Sequence, residues 1–456
     1  MASSSPSLSP SFEEKEAIEP TINPSQPVKR VWYRSTLFQA CVVGMCAFCS
    51  PGIFNGMNAL GAGGGQEAWT VNAANSLVFG LMVVTCLFGS TIVDRLGYKW
   101  ALVVGCAGYA PYAGGLVLNL KNGSTWLIFV GSATCGLSAG LFWAVEGAVI
   151  MGYPEAWKRG RYLALWLGFR NAGQILSGII SLSLNAKSNK AGHISQKTYY
   201  VFIALQAIAP FIGVLLSNPS RVQRKDGTPV LMESHIGFKA EMRKMWELMR
   251  RREVLFLVPV CLTAQWSASY ASTFLSLYFS VRARSLAALC IATLGVVVNA
   301  LLGFFVDYRS LTKKFRARAA FIFIFGLFGG VWIWFTVLQL RYNDTKPRYD
   351  WVDGTKFAAG FTLYLVFQAV YFLLQNALYW WCSQLARDPT ELVRLSSFLR
   401  GLESAGSACG YGVSARKTLP YTVPLGINFG LWGTSLLTSV WTVWRIGTEG
   451  GFGGAY

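Results

Sequence analysis

The sequence predicts an all-α, multi-pass membrane protein with twelve transmembrane helices in two six-helix bundles. Three observations predict this fold class. The 456 residues are 53% hydrophobic and only 13% charged, whereas soluble domains carry about 25% charged residues. Apolar runs of about 20 residues, the length that crosses a bilayer, recur from Thr36 to Arg445. These runs form two groups of six on either side of a polar segment at 218–253.

The elements follow one another in a regular order along the chain. Residues 1–34 are rich in Ser and Pro and predict a disordered cytosolic tail. A six-helix bundle is predicted over 35–217, a cytosolic linker over 218–253, a second six-helix bundle over 254–444, and a Gly-rich cytosolic tail over 445–456. The predicted spans are 35–60, 69–93, 100–120, 125–150, 161–184, 199–217, 254–280, 286–306, 317–340, 357–381, 392–415 and 421–444.

The basic residues indicate orientation. The chain has 40 Lys and Arg against 21 Asp and Glu, a formal charge of +19. They are scattered through short loops, which excludes a nucleic-acid partner that would need one basic stripe. With both termini in the cytosol, inner segments hold 26 basic residues and outer loops hold 12, as the positive-inside rule requires. The plasma membrane and an internal membrane such as that of the vacuole both remain open.

Two sequons and the linker add detail to this topology. The sequons at Asn122 and Asn343 fall in predicted outer loops and predict N-glycosylation. In the linker, apolar residues such as Met242 and Trp246 alternate with Lys and Arg at helical spacing. This pattern predicts an amphipathic helix on the anionic inner leaflet of the lipid bilayer. A protein partner bound through 218–253 and an ordinary basic connector are equally compatible with it.

Corresponding positions in the two bundles indicate an internal repeat. Arg170 and Arg400 are 230 positions apart, and so are Glu146 and Asn376. A six-plus-six parallel repeat, common in transporters, explains these offsets.

Four ionisable side chains are predicted at membrane depth, where each needs a partner or a function. They are Glu146, Arg170, Arg400 and Glu403. Glu146 is a candidate proton-coupling or cation-binding carboxylate, or else a permanent ion-pair partner of Arg170. Arg400 and Glu403 share one helical face and favour a structural pair.

Neutral polar residues complete a candidate substrate or proton-coupling site. Gln265, Gln375 and Asn376 are the candidates on spans seven and ten, with Asn55, Asn58 and Gln368 as further polar groups. Taken alone, each of them is more often a hydrogen bond between helices than a ligand contact. The aromatic residues that would surround an organic ligand are Trp143, Trp266, Tyr270, Tyr371 and Tyr379.

The loop after span two carries a recognisable motif. Residues 89–99 read GSTIVDRLGYK and resemble the signature of the major facilitator superfamily. That resemblance implies gating roles for Asp94, Arg95, Gly97 and Lys99. It also implies two bundles that rock about a central cavity lined by spans one, four, seven and ten.

Longer strings resemble the fungal branch of the UNC-like family, named after the nematode uncoordinated ninety-three protein. That family's animal relatives are associated with regulating channels and escorting receptors, so the resemblance carries over no substrate. The strings lie at 153–154, 159–162, 169–174, 222–230, 279–284 and 399–404.

These observations predict a non-enzymatic protein that needs no cofactor and no metal. His193 and His235 lie in opposite loops, and the sequence contains no metal-spaced cluster and no phosphate-binding glycine loop. The predicted function is secondary active transport, by alternating access, of a small organic molecule whose identity the sequence does not give, with Glu146 as the candidate for proton coupling. The alternative is a non-transporting membrane accessory protein that regulates or escorts a partner channel or receptor.

Overall fold

The computed structural model describes residues 30–64, 67–155, 158–189, 192–230, 238–308, 310–387 and 389–448. The two predicted tails, apart from the residues next to the bundles, lie outside the described residues, and so does His235.

Twelve long helices within the described residues coincide with the twelve predicted spans. Eight of them, α1–α4 and α7–α10, are long and apolar enough to cross a membrane. Helices α2 and α3 lie within Ala68–Ala107 and Tyr109–Asn122 and are divided at Gly97. The bounds of the other ten helices are α1 Thr36–Asn58, α4 Trp126–Gly152, α5 Arg159–Asn185, α6 Gln196–Gly213, α7 Val258–Tyr278, α8 Val281–Asp307, α9 Lys313–Thr345, α10 Thr355–Leu385, α11 Pro389–Ser414 and α12 Thr422–Arg445.

The gating segment is a tight connection between two helices. The helical backbone of Ala68–Ala107 is interrupted at Gly97, where φ is 76° and ψ is 154°. The part before Gly97 is α2, and the part after it begins α3. Glycine adopts positive φ without steric cost, so one residue is enough to turn the chain while its neighbours stay helical.

Helix α1 contains a π-helical turn at Phe48–Gly52 with Pro51 inside it. Proline lacks an N–H donor, so the regular hydrogen-bond ladder cannot pass through this position. The turn lies against α5, where a Cβ at Gly52 would be 2.9 Å from the Arg170 carbonyl oxygen. A glycine here lets the two helices touch beside one of the membrane-depth arginines.

The helices pack in two sets that follow chain order. Helices α1–α6 contact one another, as do α7–α12, and the main contacts between the sets are α2 with α11 and α5 with α8. A repeat operation that takes α2 to α8 and α5 to α11 exchanges these two contacts. The packing is therefore the one that a six-plus-six repeat produces.

The linker joins the two sets at one end of the molecule, called here the linker end; the opposite end is the far end. Gln223 pairs with the segment before α1 through its backbone N–H to the Arg34 carbonyl, at 2.9 Å. Arg224 donates to the carbonyls of Gly152 and Tyr153 at the end of α4, at 2.8 and 3.0 Å. These bonds tie the linker to the first set of helices.

The linker helix, Phe238–Met249, packs partly against the second set of helices. Leu248 is 3% exposed and, with Met245, packs against the core of the second set, while Trp246 is 60% exposed. Arg251 forms an ion pair with Glu391 at the start of α11. Part of the apolar face is thus buried in protein, because a helix packed on the bundle buries it more completely than the interface would.

Candidate functional site

The tryptophan in the middle of α4 lies between two arginines from opposite sets of helices. The guanidinium carbon of Arg170 on α5 is 5.9 Å from the centroid of the Trp143 ring, and that of Arg400 on α11 is 4.2 Å from it. Arg170 also lies 5.2 Å from the ring of Trp166, which meets Trp143 edge to face at 5.8 Å. Cations over aromatic faces are attracted by the ring quadrupole. We call Glu146, Arg170, Arg400, Glu403 and Trp143 the central cluster.

Glu403 is completely enclosed by partners. Its carboxylate accepts from Arg400 Nη1 at 3.2 Å, from the Tyr379 hydroxyl at 3.1 Å and from Gln375 Nε2 at 3.4 Å. Its side chain is 1% exposed. Because Glu403 is one helical turn after Arg400, the charge pair is built within α11. The structure therefore brings together Arg400, Glu403 and Gln375 of the predicted site.

Arg170 and Glu146 are held differently. Among the described residues, no carboxylate lies within 4.0 Å of Arg170, and its Nε is buried without a hydrogen-bond partner. Glu146 is only 7% exposed, and its carboxyl interacts electrostatically with the positive charges of Arg170 and Arg400. The permanent Glu146–Arg170 ion pair considered from the sequence is absent from this arrangement of the described residues.

Arg400 keeps part of its side chain accessible within the central cluster. The Arg400 side chain is 23% exposed despite its ion pair with Glu403, whose side chain is 1% exposed.

Two other predicted site residues have protein partners of their own. Gln265 accepts a hydrogen bond from the Tyr371 hydroxyl at 2.5 Å. Asn376 donates to the side chain of Asn299 and to the Phe372 carbonyl, the latter at 3.0 Å. These bonds link helices α7 and α8 to α10, which is the interhelical role that the sequence left open.

Several of the further polar and aromatic candidates lie away from the cluster. Asn58 accepts from Asn75 at 3.1 Å inside the first set of helices, and Gln368 donates to the Tyr364 hydroxyl at 3.1 Å. Tyr270 is 2% exposed and donates to a buried glutamine. Such residues build the core of each half.

The gating residues lie at the linker end. Asp94 and Arg95 are exposed, Gly97 makes the bend, and Lys99 Nζ is 6.0 Å from the ring of Trp100. Nearby, burial acts against ionisation of Glu155, but hydrogen bonds from Lys158 Nζ and the Lys225 N–H outweigh it and lower the pKa of that carboxyl.

A buried arginine that was not among the predicted site residues closes the far end between the two halves. Arg284, near the start of α8, is 1% exposed. It donates to the carbonyls of Leu60 and Gly61, before α2, and of Gly192, before α6, at 2.7 to 2.8 Å. The predicted eighth span begins at 286, so Arg284 belongs to the outer loop before it in the sequence-based topology. The string at 279–284 was the signal that could have found it.

The same end contains a second arginine contact. Arg282 Nε donates to Asp350 at 2.8 Å, and Arg282 lies 4.5 Å from the ring of Trp351. The hydrogen bond from Arg282 lowers the pKa of Asp350. A carboxyl with a lowered pKa contributes its stability above its ordinary pKa and loses it as pH falls through the folded-state value.

The Asn122 sequon begins at the end of a helix and continues into the loop, whereas the Asn343 sequon lies on a helix instead of in its predicted loop. Asn122 is the exposed last residue of α3. Asn343 is in the final turn of α9, where its oxygen accepts from Gln339 at 2.8 Å. The helix extends beyond the predicted span end at 340, and the bond between Gln339 and Asn343, four residues apart, lies on one face of its last turns.

Comparison with known proteins identifies the family. The model of the Major Facilitator Superfamily matches residues 36–411. The chain belongs to the major facilitator superfamily. It is therefore an integral multi-pass membrane protein with a transporter fold, and the similarity recognised in the loop after α2 is confirmed.

The relatives of this superfamily member include the UNC-like proteins that the sequence resembles. The chain is 38% identical to the notoamide biosynthesis cluster protein O' of Aspergillus versicolor, over 94% of this chain and 93% of that protein. It is 28% identical to an UNC93-like protein of Schizosaccharomyces pombe, over 92% and 85%. The crystal structure of a D-xylose–proton symporter superposes with a TM-score of 0.59 at 13% identity, over 91% of this chain and 98% of that one.

Proposed function

We propose that this protein is a secondary active transporter of a small organic molecule that works by alternating access, with the central cluster as its substrate and proton-coupling site. One observation carries the proposal: charged side chains from both sets of helices meet over Trp143. Ionisable groups at membrane depth are costly and therefore usually functional. A site shared between two halves can also respond when the halves move relative to each other.

Proton coupling is assigned to Glu146. It is buried, forms no ion pair among the described residues, and lies within the field of two arginines. Movement of either arginine changes the cost of ionising this carboxyl, which couples proton binding to conformation. The D-xylose–proton symporter has the same fold, and its name describes a transporter of that fold that is coupled to protons.

The proposal includes the orientation of the chain in the membrane. The distribution of basic residues supports a cytosolic position for the linker end and both termini. The bundles then occupy 35–217 and 254–444, and Asn122 and Asn343 lie at the outer side as glycosylation candidates.

A non-transporting accessory role is the second candidate. It is supported by the UNC93-like names of relatives and by the closed network around Glu403, which is satisfied without any ligand. A partner would then bind elsewhere, for example at the exposed Trp246 of the linker helix.

The first test compares metabolite profiles of cells, isolated vacuoles and medium. Strains lacking the protein are compared with strains expressing wild type, Glu146→Gln or the control Glu247→Gln, whose target side chain is 62% exposed in the linker. We expect a compound to redistribute with wild type and control, and at least about tenfold less with Glu146→Gln. Redistribution should be faster at acidic outer pH for wild type and control, but not for Glu146→Gln.

Membrane abundance is matched by quantitative blotting in every strain. If no compound distinguishes wild type from the deletion strain across growth conditions, transport is contradicted and the accessory role stands.

A further inference from the structure

The two arginines of the central cluster have unused binding capacity. Arg170 has no carboxylate within 4.0 Å among the described residues, and its Nε is buried without a hydrogen-bond partner. Arg400 uses Nη1 for Glu403, yet its Nε is also buried without a partner. Buried N–H groups without acceptors are costly, so they mark positions where an acceptor belongs.

The two guanidiniums also repel each other. They approach the same indole from opposite halves of the molecule, and Trp143 attracts both. Like charges at close range are stabilised when a negative group lies between them. An oxyanion has the planar acceptor pair that matches the fork of a guanidinium.

The charge count of the cluster leaves room for one anion. Arg170 and Arg400 carry two positive charges, and Glu403 neutralises one of them. The remaining carboxylate is Glu146, three residues after Trp143 on α4, and the positive charges of Arg170 on α5 and Arg400 on α11 act on it. When Glu146 binds a proton, the cluster has a net charge of +1.

We infer that the transported molecule carries a negatively charged oxyanion group, such as a carboxylate, which Arg170 and Arg400 bind together beside Trp143. The inference rests on the proposed transport function and adds the class of substrate. An anion held by both arginines draws α5 and α11, and hence the two halves, towards each other. A proton on Glu146 restores the charge balance, so anion and proton bind together.

The test uses the cell's own metabolite mixture as the probe, in the expression strains described above. Compounds that redistribute with wild type are identified and sorted by their charge at neutral pH. Transport is then compared among wild type, Arg170→Gln, Arg170→Lys and the control Arg445→Gln, which removes an arginine stacked 4.0 Å from Trp441 at the end of α12.

We expect the compounds to be anions and their accumulation to fall at least about tenfold in Arg170→Gln, since one hydrogen bond to a charged group corresponds to such a factor. Arg170→Lys keeps the charge and retains part of the transport, which also shows that the position tolerates substitution. The control transports like wild type.

A neutral or cationic compound, or full transport of an anion by Arg170→Gln, overturns the inference while transport itself stands. If no compound redistributes with wild type, the proposed function fails and the inference fails with it, so the two failures are distinguishable.

Discussion

At the scale of single residues, the central cluster shows how one chain uses two arginines for different purposes. Arg400 is tied to Glu403 within its own helix, whereas Arg170 depends on aromatic rings. The two arginines occupy corresponding positions of the repeat, so the difference between their partners comes from the residues around them. A Glu three residues after Arg400 supplies a partner on the same helical face, and Gly173 occupies the matching place after Arg170.

Removing the Glu403 carboxylate is expected to destabilise the protein. Glu403→Gln leaves Arg400 without its ion-pair partner, and the loss is about 2 kcal/mol, below the full cost of breaking a buried pair because Arg400 is 23% exposed. Thermal unfolding of the purified protein in detergent measures the effect. Glu247→Gln, which breaks an exposed pair with Arg243, is the control and should unfold like wild type. Equal unfolding of both variants would show that the buried pair adds no stability.

At the scale of elements, glycine decides where helices bend and where they touch. A Cβ on Gly136 would lie 3.0 Å from the Leu81 Cβ, and one on Gly410 would lie 2.6 Å from the Trp266 carbonyl oxygen. Gly136 in α4 and Gly410 in α11 are therefore close-packing sites. Gly97 is required for a different reason. A Cβ there would meet nothing within 4 Å, but the backbone has a φ of 76°, which residues with a side chain rarely adopt.

Substituting the bend glycine is expected to strain the backbone. Gly97→Ala should lower stability by about 1 kcal/mol, because an L-residue resists positive φ even in open space. Thermal unfolding in detergent measures the change.

The matched control is Gly426→Ala in α12, where a Cβ also meets nothing but the backbone is helical. It should be neutral or slightly stabilising. A control that loses as much stability as Gly97→Ala would refute the backbone explanation.

At the scale of the whole molecule, the two halves are locked together at the far end. Arg284 binds three carbonyls of the first half, and Asn72 on α2 donates to Thr273 on α7 at 2.9 Å. Alternating access requires these contacts to break when the far end opens. The described arrangement is thus a state in which the far end is closed.

Loss of the Arg284 guanidinium is expected to loosen the far end. Arg284→Gln leaves the carbonyls of Leu60, Gly61 and Gly192 without their charged donor, and amide hydrogen exchange around these residues should rise several-fold. Mass spectrometry of the protein in detergent measures this exchange. Arg341→Gln, at an exposed position of α9 near the same end, should leave the exchange unchanged. Unchanged exchange in Arg284→Gln would show that other contacts close the far end.

The sequence by itself determined the fold class and the positions of the spans. Length and apolarity of each run are local properties, and a bilayer converts them directly into helices because every backbone group must be bonded internally. Charges such as Glu146 and Arg170 stood out for the same reason, since an ionisable residue inside an apolar run is visible in the local sequence. The superfamily motif after α2 was also readable, and the connection that carries it turns at Gly97.

Only the tertiary structure decided which of these groups meet. It placed Arg170 and Arg400 on one tryptophan, left Glu146 without an ion pair among the described residues, and turned Arg284 from a loop residue into the far-end lock. The contacts of Arg400 with Trp143 and of Arg284 with Leu60 join positions that are more than 200 residues apart in the sequence. No local pattern specifies them, because they depend on how two separately folded halves approach each other across the membrane.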